Sequence, residues 1–161
     1  MQIVLRWFLE AVMGYLLQAF SIVIGMHGIS RQKMNLKYCA LVSLISSAAT
    51  YFIRSIGLFN FGVHTMLTLL VINAACIFLC KLNIRTSILG SILMMILVLL
   101  SELVNVAFLS VLAGADQINT LLADPLIKAA SAVPGNVVLL LAALLIYRFR
   151  TCKGNKDELV N

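Results

Sequence analysis

The sequence predicts an all-α, polytopic bundle of about five transmembrane helices. Composition, the rhythm of the apolar segments and the placement of the basic residues predict it together. Hydrophobic residues fill 62% of the 161 positions, charged residues only 11%, and the mean hydropathy is +1.06. A soluble domain of this length needs polar outward faces, whereas here segment after segment is apolar all round. Nine of the twelve Lys and Arg residues fall into three short stretches between those segments: Arg31, Lys33 and Lys37; Lys81 and Arg85; and Arg148, Arg150, Lys153 and Lys156.

Five spans follow in order. They run from Val4 to Met26, Tyr38 to Ile53, Phe61 to Cys80, Ser87 to Ala113 and Asn136 to Tyr147. About 20 helical residues cross an apolar core of roughly 30 Å, so the second and fifth are short and the fourth is long. Basic loops stay on the cytoplasmic side of a bilayer. Placing the three basic stretches there puts the N-terminus outside and the C-terminus in the cytoplasm, with only Arg6, Arg54 and Lys128 on the outer side. An odd number of spans satisfies that alternation. The rival is four spans, with the first segment lying on the surface because Arg6 and Glu10 interrupt it.

The connection from Gly114 to Pro134 is the one sizeable loop. Ile118, Leu121, Leu122 and Pro125 recur near helical spacing, and Asp124-Pro125 reads as a helix start. A short helix at the outer interface is therefore expected, with Pro134-Gly135-Asn136 turning the chain into the last span. Residues 1–150 then form a single transmembrane domain and residues 151–161 a short basic cytoplasmic tail.

Several function classes find no support in the residues. The net charge of +6 sits at segment ends without a basic helix face, which favours anionic lipid headgroups over nucleic acid. Glu10 breaks the first apolar run, so a cleavable signal peptide is not expected. The letters KDEL at Lys156–Leu159 are followed by two more residues and are not a retention signal. No phosphate loop, metalloprotease motif or nucleophile elbow occurs. No catalytic activity and no cofactor are expected.

Ionisable groups inside a bilayer are costly, which makes them the candidates for function. Glu102 is the clearest, about 18 Å along the helix from Gly114, and Asn105 follows one turn later. With the N-terminus outside, Arg6, Glu10, Arg54, His64, Glu102 and Asn105 fall at similar depth near the outer leaflet. Ser43, Ser47, Thr50 and Arg54 form one polar stripe on the second span. These residues predict an outward-facing polar pocket or ion-pair network; tight helix packing through small hydroxyl residues is the competing explanation. Cys39, Cys76, Cys80 and Cys152 lie near the inner side. Cys76 and Cys80 share a helix face, but without a second tight pair they read as packing residues, and no metal site is expected.

Three runs carry a family resemblance: Phe59-Asn60-Phe61-Gly62-Val63-His64-Thr65-Met66-Leu67, Leu100-Ser101-Glu102-Leu103 and Pro134-Gly135-Asn136-Val137-Val138-Leu139. They resemble the N-terminal membrane domains of Gram-positive sensor histidine kinases of the accessory-gene-regulator type. The resemblance implies a bacterial cytoplasmic-membrane protein that detects an extracellular small molecule or peptide. Eleven residues follow Arg150, leaving no room for a phospho-acceptor helix or an ATP-binding domain, so an input module serving a separate histidine kinase or other membrane protein is expected. A solute or proton-coupled transport component and a structural membrane subunit remain open alternatives.

Overall fold

The computed structural model describes residues 8–55, 63–113 and 125–157, and among them every regular element is helical. The first helix opens as a π segment, Leu9–Leu16, and continues as α1, Leu17–Ser30. Then come α2, Leu36–Ser55, α3, Val63–Cys80, α4, Ile84–Ala113, and α5, Pro125–Asp157. Four stretches are long and apolar enough to cross a membrane: Glu10–Ser30, Leu36–Ile53, Ile84–Val111 and Ala130–Arg150. The apolar run of α3, Met66–Cys80, is shorter, about 22 Å.

The apolar-all-round character of the first segment is explained by where it packs. Every residue from Ser21 to Ile29 is buried, and 56% of the Glu10–Ser30 stretch lies inside the bundle, against 17% for the stretches of α4 and α5. Helix α1 is thus the axis, with α2, α4 and α5 packed against it and α3 bridging α2 to α4. The first segment thus packs inside the bundle, and it is one of the four described stretches, against five expected, that are long and apolar enough to cross a membrane. The outer helices turn apolar residues outward instead, among them Phe78, Leu103 and Phe149. A bilayer solvates such faces and water does not.

Glycine sets the closest approaches. A Cβ on Gly28 would stand 2.7 Å from Tyr147 Cα, so the backbones of α1 and α5 touch there. Small residues permit this contact, which in lipid supplies the packing that the hydrophobic effect supplies in water. Gly25 faces the flexible thioether of Met94 on α4.

Both short turns at the basic end use one device. Arg31 (φ 54°) ends α1 and Lys81 (φ 54°) follows α3 in the left-handed region. The N–H groups of Arg31 and Gln32 then close on Gly28 O and His27 O, and that of Leu82 on Cys76 O. Cationic side chains also complement the negative helix C-termini. The three basic stretches meet at this end. Lys33 and Lys81 line one cavity, and Tyr147, just before Arg148, accepts a hydrogen bond from Met34 N–H at 3.3 Å.

The last helix corrects the expected loop. Pro125 is its first residue, as Asp124-Pro125 suggests, but no turn interrupts it at Pro134, which lies inside α5. Pro134 cannot donate to the carbonyl of Ala130; packing of the next two residues against neighbouring helices holds the chain helical across the gap. The helix also runs past Arg150 to Asp157.

Replacing Gly28 by Ala forces α1 and α5 apart, because the obstacle is backbone. Gly28→Ala is expected to destabilise the detergent-solubilised protein by about 1–3 kcal/mol, whereas Gly25→Ala costs less because the Met94 side chain can move. Thermal unfolding of the two variants side by side measures the difference.

Candidate functional site

The polar residues predicted to converge near one leaflet are placed unequally. Arg6 lies outside the described residues. Arg54 is in the last turn of α2 and His64 in the first turn of α3, with side chains outside the described set. Glu10 is half-buried in the π segment and has an interaction partner. Glu102 points outward. Its helical neighbours Leu99, Leu103 and Val106 are exposed apolar residues, and it has no hydrogen-bond or ion-pair partner among the described residues. Asn105 is half-buried, with its Oδ1 enclosed and unbonded. The two residues therefore do not share one environment: Asn105 and Ser101 turn toward α5 at Gly135, while Glu102 turns away.

The serine and threonine stripe of α2 has a packing explanation. Ser43 Oγ donates to Cys39 O and Thr50 Oγ1 to Ser46 O, both at 2.7 Å and both one turn back on their own helix. Such bonds satisfy the hydroxyls without a ligand. The buried face is Cys39, Val42, Ser43, Ser46 and Thr50, with Ser47 at its margin.

A polar junction that the sequence reading assigned to a turn lies in the Pro134-Gly135-Asn136 run. Gly135 lets α4 approach, a Cβ there standing 3.3 Å from Ser101 O. Asn136 Nδ2 donates to Met13 O at 2.9 Å and to Gly14 O at 3.1 Å. Both carbonyls belong to the π segment. Three helices are thereby tied at the end opposite the basic turns.

The second constellation sits at the basic end and joins residues from three helices. His27 lies in the last turn of α1, Cys39 in the first turn of α2, and Cys80 closes α3. His27 and Cys39 are buried, at 3% and 0% exposure. His27 Nδ1 is 2.9 Å from Val23 O, and a carbonyl only accepts, so Nδ1 carries the proton and Nε2 keeps its lone pair. Cys39 Sγ stands 3.9 Å from that Nε2. A cavity of about 280 Å³ opens beside the group, lined by His27, Cys80, Lys33, Asn35, Tyr38 and Lys81. Sequence reasoning placed the cysteines near one side but missed His27. Its position four residues before Arg31 marks it as a helix-end residue and says nothing of Cys39 or Cys80.

No family model matches the chain, and no curated protein or solved structure is similar to it.

Asn136→Leu removes two interhelical hydrogen bonds and is expected to lower stability in detergent by about 0.6–1.7 kcal/mol. Ser43→Ala, whose hydroxyl is bonded within its own helix, is expected to change it by less. Unfolding of both variants under matched conditions is the measurement.

Proposed function

We propose that this chain is a multi-spanning signal-input protein of a bacterial cytoplasmic membrane, with its N-terminus outside and its C-terminus in the cytoplasm. It detects an extracellular small molecule or peptide and acts through a partner in the bilayer, such as a separate histidine kinase. The position of Glu102 carries this reading. A carboxyl group within a bilayer is costly, and here it sits on an apolar face turned away from its own bundle. A neighbouring membrane protein with a donor at that depth removes the cost; lipid does not.

Two further observations favour it. The gathering of the basic turns at one end of the bundle suits the positive-inside arrangement. In addition, α5 is one helix of 33 residues, and its part from the Gly135–Asn136 junction to Asp157, about 34 Å, is a mechanical link from one end to beyond the other. A transport component draws on the same Glu102, and uptake into vesicles that depends on it favours that second reading.

Tags at each terminus, probed from outside intact cells, are expected to report opposite compartments; the same compartment for both overturns the orientation. Glu102→Leu is expected to abolish co-purification of the partner while the variant stays folded and monodisperse. Undiminished co-purification, or no partner captured by the wild-type chain, overturns partner dependence.

A further inference from the structure

The basic end of the bundle holds a donor set for which the signal-input reading has no use. The ligand atoms of His27, Cys39 and Cys80 all lie within 4.8 Å of one another. Around one ion, metal–sulfur bonds of about 2.3 Å and metal–nitrogen bonds of about 2.0–2.1 Å leave neighbouring donors roughly 3.5–4 Å apart. Cys39 Sγ stands 3.9 Å from His27 Nε2, within that spacing, and 4.0 Å from Nδ1, so the thiol lies beside the ring and must turn toward Nε2 to share an ion with it.

The imidazole is held as a ligand is held. Metal-binding histidines give their second ring N–H to a carbonyl or carboxylate, which fixes the tautomer and aims the free nitrogen. Val23 O does this for His27. The surroundings also favour a cation, because α1 and α3 both end here and a helix C-terminus carries partial negative charge. Cys76, one turn before Cys80 and hydrogen-bonded to it, places a further sulfur behind the group.

The adjoining cavity supplies an entry path and room for a ligand from outside the chain. Lys33 and Lys81 on its wall offset the charge of two thiolates. The group offers sulfur and nitrogen without a carboxylate, which selects soft ions over calcium or magnesium. Packing accounts for each buried cysteine singly. It does not account for two thiols and an oriented imidazole, drawn from three helices, at the wall of a polar cavity.

We propose that His27, Cys39 and Cys80 bind one thiophilic d10 metal ion, Zn(II) or Cu(I), with an open coordination position facing the cavity. The site requires neither the membrane orientation nor the signalling role proposed above, so it stands or falls separately from them.

The test uses the full chain, reduced and stripped of metal in detergent. Titration with Co(II), a coloured stand-in for Zn(II), is expected to give thiolate-to-cobalt charge-transfer absorption saturating at one equivalent per chain, which Zn(II) then bleaches. A parallel anaerobic titration with Cu(I) against a competing chelator identifies which ion binds more tightly. Affinity is expected to fall by at least about 100-fold in His27→Gln, Cys39→Ser and Cys80→Ser, beyond the loss typical of an outer-shell partner. A measurement without variants guards against misfolding: bound metal is expected to protect Cys39 and Cys80 of the wild-type chain from alkylation, read by mass spectrometry. Binding of none of the three ions overturns the proposal, as does unchanged binding by the Cys39→Ser/Cys80→Ser double variant or equal alkylation with and without metal.

Discussion

The contact between the backbones of α1 and α5 at Gly28 and Tyr147 is the constraint on which the rest of the structure depends. In lipid, apolar side chains gain little by leaving the solvent, so helices associate through close packing and a few polar bonds. Gly28 allows that packing on the axis of the bundle, and α1 is buried along its inner length as a result. The neighbouring contacts then fall into register. Gly25 receives Met94, Gly90 comes against Met26, and Gly135 admits α4 to α5. A side chain at Gly28 moves every one of them.

The two ends of the bundle are chemically different. One is tied by neutral groups, with the Asn136 amide donating to two carbonyls of the π segment. The other gathers lysines, a tyrosine hydroxyl, an imidazole and thiols around a cavity. Helices α1 and α5 run between them and are in direct backbone contact at Gly28 and Tyr147. Glu102 belongs to neither end. It lies on the outer apolar surface, where it marks the side on which another membrane protein is proposed to stand.

Hydropathy and charge made the bundle legible, because long apolar runs admit few alternatives to a membrane helix. Helix α2 extends two residues beyond the expected span at each end, whereas α3 and α4 end at the expected Cys80 and Ala113 and start two residues later and three earlier than expected. Pro134 misled because a local rule, that proline breaks helices, yields where tertiary contacts hold the flanking residues. Glu102 was legible as a costly residue, but its direction was not. Helix α4 is apolar on every face, so nothing in its pattern fixes rotation about its own axis. His27 shows the opposite limit. It meets Cys39 and Cys80 across 12 and 53 residues of chain, and convergence over such separations leaves no periodic trace in the sequence.

The left-handed residues that end α1 and precede α4 serve two masters. A side chain with a Cβ in that conformation costs about 1–2 kcal/mol that glycine would spare. Yet Arg31 and Lys81 occupy both corners. Glycine at either corner relaxes the backbone and deletes a charge that helps hold this face on the cytoplasmic side in the proposed topology. Conformational ease and correct insertion therefore pull these two positions in opposite directions, and a variant chosen for a more stable fold would be one with a weaker sense of which way to thread.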